Sequence, residues 1–236
     1  MISNIDLKNS SSWKNKIFLT FDMDWCSDEV LDYTLDILEE KSIQATFFVT
    51  HKTELLTRMR KNSNIELGIH PNFNFLLNGD FRYGKNIDEV IEYYLKIVPE
   101  AKSVRAHSLT QNSNIINNFK KLGLKFHCNT HIPYSSNIDI KPYLLWNDMV
   151  EAPFFWEDDI HCLYNWEFDV QNTFKYNGLK IYNFHPIHIF LNTEKLERYT
   201  FAKDCLNEYG KLKEMRNMMN SGVNDYLNSL IKRGFE

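Results

Sequence analysis

The chain has 236 residues, 43% of them apolar and 25% charged, and a formal net charge of -4. That length and apolar content suffice for one large domain with a substantial core, and 14% aromatics exclude wholesale disorder. The mild acidity leaves no basic footprint for a phosphate backbone, so no nucleic-acid partner is expected.

Met1 to Lys16 is polar and lacks the apolar centre of a secretory signal. No apolar run approaches the roughly 20 residues that span a bilayer. Cys26, Cys128, Cys162 and Cys205 stand apart, with no CxxC pair. A reduced, cytoplasmic protein without a membrane span is expected.

Ile17 to Phe21 is a short apolar run that predicts a buried strand. Ser27 follows as a helix N-cap, with Asp28 and Glu29 in the first turn and Val30, Leu31, Thr34, Leu35 and Leu38 at helical spacing. Ala45 to Val49 and Ile65 to Ile69 predict two further strands, separated by a basic helical stretch from Lys52 to Lys61. Ile87 to Val98 predicts an amphipathic helix ended by Pro99, Ser103 to Ala106 a brief strand, and Ile115 to Leu122 a helix closed by Gly123. Lys125 to Asn129 reads as a strand. Thr130 to Asn177 is aromatic-rich without a clean period and reads as short strands and loops. Leu179 to Phe184 is a late strand, and 196–230 reads as helix broken near Gly210 and Gly222. Strand and helix in alternation imply a parallel sheet, open or closed into a barrel, in a single domain over 1–236. Its motif-bearing part is 17–192, and 194–236 is a helical C-terminal region.

Four polar clusters fall just past the C-terminal ends of predicted strands: Asp22-Met-Asp24, His70-Pro-Asn-Phe-Asn74, Arg105-Ala-His107-Ser108, and His185-Pro-Ile-His188. In parallel α/β folds this edge is where loops converge on a ligand. Two close carboxylates both ionise only when a cation neutralises one, and a hydrolytic metal site supplies that cation. The alternative for Asp22 is a helix cap. His70 offers a nitrogen, Asn74 a carbonyl oxygen, and His107 is a rival third ligand. Arg105 is suited to orienting a carboxylate, and His185 to serving as general acid. His188 is an outer partner or structural. Trp156-Glu157-Asp158-Asp159 places acids beside an aromatic ring, suited to sugar stacking or to tuning a histidine, or forms an exposed acidic turn. Cys26 lies near the aspartates, but no base is paired with it in the sequence. His51, His127, His131 and His161 carry no pattern.

These clusters resemble the motifs of the polysaccharide deacetylases, the NodB-homology or carbohydrate esterase 4-like group. Thr20-Phe-Asp22-Met-Asp24-Trp25 is similar to that family's Thr-Phe-Asp-Asp-Gly, with Ala45-Thr-Phe-Phe-Val49 as the companion strand. His70-x-x-x-Asn74 resembles His-x-x-x-His, Arg105-Ala-His107-Ser108 stands where Arg-x-Pro-Tyr is usual, and His185 matches the histidine of a terminal Leu-x-His. The resemblance implies a distorted (β/α) barrel of seven or fewer repeats and a divalent metal, most commonly Zn2+. It implies removal of an acetyl group from an N-acetyl sugar. Carried over by position, Asp22 is the catalytic base, Asp24, His70 and Asn74 (or His107) hold the metal, Arg105 holds the base, and His185 is the acid. Trp25, Trp156, Asp158 and His188 are candidates for substrate contact.

Three features depart from the family pattern: the intervening Met23, the asparagine at 74 and the missing Pro-Tyr. With the polar N-terminus, they point to a divergent branch acting on a small, lipid-linked or nucleotide-linked sugar of surface-glycan synthesis. The rival readings are hydrolysis of a non-sugar amide and an inactive barrel that binds a glycan or partner.

Overall fold

The computed structural model describes residues 1–235. Nine strands form one sheet: β1 (Ile17–Asp22), β2 (Ala45–Val49), β3 (Ile65–Ile69), β4 (Ser103–Val104), β5 (Phe126–His127), β6 (Tyr143–Leu144), β7 (Val150–Glu151), β8 (Trp156–Glu157) and β9 (Lys180–Phe184). Their order is β6-β7-β5-β4-β3-β2-β1-β9-β8, parallel throughout except for the β6–β7 pair. β7 and β8 belong to one short stretch, 150–157. It pairs with β5 at one edge and with β9 at the other, curling the sheet round on itself. Counting that stretch once, β1 to β5, 150–157 and β9 make seven staves, within the expected limit of seven.

The helices follow the expected pattern. The first seven are α1 (Asp28–Glu40), α2 (Leu55–Lys61), α3 (Asn74–Leu77), α4 (Ile87–Ile97), α5 (Ser113–Lys121), α6 (Asp158–Leu163) and α7 (Gln171–Phe174). The last four are α8 (Pro186–Leu191), α9 (Leu196–Ala202), α10 (Tyr209–Glu214) and α11 (Val223–Gly234). Ser27 precedes α1 in extended conformation, but its side chain makes no capping bond. Asn86 and Asn112 do cap: their side chains accept from Glu89 N and Ile115 N. The C-terminal helix breaks before Tyr209 and at Gly222, close to the two glycines that signalled it. Among the described residues no helix is long and apolar enough to cross a membrane.

Register places the site. Thr20 stands beside Asn183 and Phe21 beside Phe184, so Asp22 and His185 emerge next to each other. Ile69 stands beside Val104, so His70 and Arg105 emerge together on the same rim. Alternation along each strand then aims Thr20, Asp22, His70, Arg105, Asn183 and His185 to one face, the barrel interior. Gly68 makes this crossing possible. A β-carbon there would lie 2.6 Å from Ser103 Oγ and 2.8 Å from the Phe48 ring, so β3 and β4 approach only without one.

Candidate active site

The C-terminal rim encloses a cavity of about 260 Å3 lined by Asp22, Asp24, His70, His107, Glu157, Asp159 and His185, with Ala106, Ser108, Leu109 and Ile160 completing the wall. Asp24 and His107 reach it from two strained turns. Asp24 (φ 39°) and Trp25 (φ 54°) are both left-handed, closed by Cys26 N donating to Met23 O at 3.0 Å. Ser108 (φ 55°) and Leu109 (φ 52°) repeat the arrangement, closed by Thr110 N donating to His107 O at 3.3 Å. Left-handed non-glycine residues cost about 1–2 kcal/mol each and persist where the surrounding structure over-determines them. Among the described residues these are the only two pairs of such residues in succession, and both pairs flank the cavity.

Asp24 Oδ1 lies 3.2 Å from His70 Nε2 and 3.3 Å from His107 Nδ1, and the two imidazole nitrogens are 3.3 Å apart. Tetrahedral ligands at about 2.0–2.1 Å from zinc are separated by about 3.3–3.4 Å, so the triangle has the edge length of one face of a zinc tetrahedron. Asp24 Oδ1 is buried without a hydrogen-bond partner at the apex of this triangle. Burial alone would raise the Asp24 carboxyl, but the two imidazoles hold it well below the usual carboxylate range. The donor set, one carboxylate and two imidazoles with a face open to the cavity, fits a divalent transition metal.

Asn74 takes no place in that triangle. Its amide donates to Ser108 Oγ at 3.2 Å, and its oxygen accepts from Thr110 Oγ1 at 3.3 Å, which fastens the His107 turn. His70 precedes Pro71, which restricts it to extended conformation, and α3 begins only at Asn74. The spacing of four therefore does not put His70 and Asn74 on one helical face.

Beside the triangle stand two charge pairs. Arg105 is fully buried between the Phe48 and Phe154 rings, 4.5 and 4.4 Å from their centroids. Its Nη1 donates to Asp22 Oδ1 at 3.0 Å, to Thr20 Oγ1 at 3.1 Å and to Asn183 Oδ1, while Nε donates to Cys128 O at 2.9 Å. The Arg105–Asp22 contact is through one nitrogen rather than a fork. Burial pushes the Asp22 carboxyl up, but Arg105, then His70 and His185, bring it below its ordinary value, so it is a carboxylate at neutral pH. His185 Nδ1 is 2.6 Å from Asp158 Oδ1, and its backbone N donates to Asp158 Oδ2 at 2.7 Å. Burial disfavours the His185 imidazolium, yet the Asp158 carboxylate beside it raises its pKa well above the usual histidine value. Its free Nε2 faces the cavity, 4.0 Å from Asp22 Oδ2 and 3.6 Å from Asp24 Oδ2.

Three expected substrate contacts are corrected. Trp156 is 1% exposed, stacks on Tyr226 at 4.6 Å and donates to His161 Nδ1, so it is core and offers no sugar platform. Asp158 is wholly buried, both oxygens committed to His185. His188 is buried on Thr193 Oγ1 at 3.1 Å, and burial lowers its pKa, so it is a neutral partner edge-on to His185. Trp25 stays half-buried at the rim, edge-on to the His107 ring at 5.0 Å. Burial raises the Cys26 thiol pKa strongly, which removes the thiol nucleophile.

Glu157 and Asp159, singled out in the sequence only as acids of the Trp156–Asp159 cluster, line the cavity, and Asn183 carries no sequence signal. Burial, and then the charge of Asp159, push the Glu157 carboxyl up to about 8. The folded chain therefore holds a proton that the unfolded chain releases. That stability is fully present below the ordinary glutamate value and is lost as pH rises through 8. Between pH 7 and 9 wild type is expected to lose about 1 kcal/mol, roughly 3 °C in Tm, relative to Glu157→Gln. Thermal melts of both proteins across that range check it; parallel curves would show that Glu157 holds no proton.

Comparison with known proteins adds kinship to this geometry. A family model described as WbmS-like polysaccharide deacetylase matches residues 19–203. WbmS of Bordetella bronchiseptica, whose crystal structure is described provisionally as a polysaccharide deacetylase involved in O-antigen biosynthesis, is 41% identical. The match covers 99% of this chain and 97% of that one, with a TM-score of 0.94. A structure from Mycobacterium smegmatis, also described provisionally as a polysaccharide deacetylase, is 16% identical over 93% of this chain and 98% of its own, with a TM-score of 0.53. At that identity the likeness is one of fold. No curated protein gives a significant match.

Proposed function

This chain belongs to the WbmS-like polysaccharide deacetylases, and from that premise we propose that it is a metal-dependent hydrolase that removes an N-acetyl group from a sugar. The substrate we propose is a lipid-linked or nucleotide-linked intermediate of surface-glycan synthesis, met in the cytoplasm. The observation that carries the chemistry is the union, on one rim, of the Asp24–His70–His107 triangle with the Asp22–Arg105 and His185–Asp158 pairs. The O-antigen role described for the Bordetella relative supports the substrate class.

Asp24, His70 and His107 would hold the metal, which we take to be Zn2+; when bound, such an ion supplies Lewis acidity and lowers the pKa of water. Asp22, ionised and fixed by Arg105, accepts the proton of the attacking water. His185, kept as imidazolium by Asp158, delivers a proton from Nε2 to the departing sugar amine. Asp158 fixes the tautomer by occupying Nδ1. After turnover Asp22 holds a proton and His185 lacks one, so the pair returns to its starting state by net transfer of one proton.

Acetate release from a panel of N-acetylated sugars, nucleotide-linked sugars and small non-sugar amides tests this reading. Turnover confined to the sugars is expected. Turnover confined to simple amides, or none on any of them, would overturn it.

A further inference from the structure

We infer that Asn183 is a positioning residue that locks the Asp22 carboxylate against Arg105, an inference that rests on Asp22 being the proton acceptor. The position corresponds to the leucine of the Leu-x-His motif that His185 matches, so an apolar residue is the expectation there. In this chain it is a wholly buried amide at which four polar side chains meet. Asn183 Oδ1 accepts from Arg105 Nη1 and from Thr20 Oγ1, the latter at 3.1 Å. Its Nδ2 donates to Asp22 Oδ2 at 2.9 Å and to Glu157 Oε1 at 3.1 Å.

The sense of the amide follows from chemistry. A guanidinium only donates, so the atom facing it is the oxygen, and the NH2 group is thereby aimed at the two carboxyls. Both protons of the amide are used and its oxygen accepts from the guanidinium, while the single Thr20 proton is shared between Asn183 Oδ1 and Tyr182 O, so the buried asparagine is satisfied.

The consequence falls on Asp22. Arg105 grips Oδ1 and Asn183 grips Oδ2, so donors on separate oxygens fix the plane of the carboxylate. Without Asn183, Asp22 Oδ2 is buried with no donor, the carboxyl is free to turn about its last torsion, and Arg105 Nη1 loses one of its three acceptors. Glu157 loses the donor to its Oε1 in the same step. Asn183 itself lies behind this frame and does not line the cavity, so it acts through Asp22 and Arg105 rather than on substrate.

The test uses purified Asn183→Leu, and Asn183→Asp as a variant of identical shape that keeps the acceptor for Arg105 while replacing the donor to Asp22. For the substrate that wild type hydrolyses, kcat, KM and metal content per chain are measured, with Tm alongside. Asn183→Leu is expected to lower kcat about 30-fold, since small misplacements of a reacting group carry penalties of that order. KM is expected to stay within about twofold and metal content to stay unchanged, and Asn183→Asp is expected to lose at least as much kcat. A lower Tm with wild-type kcat, or a loss of activity that follows loss of metal, would overturn the inference. If wild type hydrolyses no amide, the deacetylase reading fails separately. Crystal structures of the variants then decide about Asn183: an Asp22 carboxylate rotated off Arg105 supports it, and an unmoved carboxylate overturns it.

Discussion

Asp22→Asn is expected to lower kcat about a thousandfold, within the 10²–10⁴ range that a positioned acid or base contributes, while metal content stays at the wild-type level. Asparagine keeps the size of the side chain and an oxygen to accept from Arg105 Nη1, while its NH2 faces Asn183 Nδ2 and gives up the bond that Oδ2 accepts there. What disappears is, among the described residues, the only ionised carboxylate that faces the cavity without belonging to the proposed metal triangle or carrying a raised pKa. Arg105 is left without its anion, so a modest loss of stability accompanies the loss of rate. The two effects separate by measuring kcat on protein shown to be folded by circular dichroism. Wild-type turnover in Asp22→Asn would remove Asp22 from the mechanism.

The second large effect is on stability. Arg105→Leu is expected to destabilise the fold by about 3–5 kcal/mol, the usual consequence of deleting one member of a buried ion pair. Arg105 holds Asp22, Thr20, Asn183 and the Cys128 carbonyl at once, and two aromatic rings sandwich its guanidinium. For a chain of this length the loss corresponds to a fall in Tm of roughly 10 °C. Adding Asp22→Asn to Arg105→Leu removes the stranded carboxylate, so the double variant is expected to recover part of the loss. Denaturant unfolding of the two singles and the double gives the coupling directly. Additive losses would mean that Arg105 stabilises through packing alone.

The features that organise the site were legible wherever an apolar strand ran into polar residues. Ile17 to Phe21 leads into Asp22, Ile65 to Ile69 into His70, and Leu179 to Phe184 into His185, and a five- or six-residue strand announces itself by composition. Spacing along the chain does not report how a loop folds, so it leaves the third corner of the proposed metal triangle open between Asn74 and His107. Pro71 and the late start of α3 keep Asn74 off the face of His70, while two left-handed residues turn the segment that carries His107. β7 and β8 have two residues each, too short to show a period, so the closure of the barrel through 150–157 was hidden. The burial of Trp156 and Asp158 was hidden with it. Asn183 escaped notice for another reason: a single polar residue inside an apolar strand looks like a surface position until the register sets it beside Thr20.

The central claim is that Asp24, His70 and His107 hold one divalent ion on which hydrolysis depends. Its most direct test is acetate release from an N-acetylated sugar substrate by chelator-stripped protein as Zn2+ is added back. The rate is expected to rise from near zero and level off at one equivalent per chain. A stripped protein that keeps its full rate, or one that stays inactive at every level of Zn2+ and other divalent ions, would contradict it.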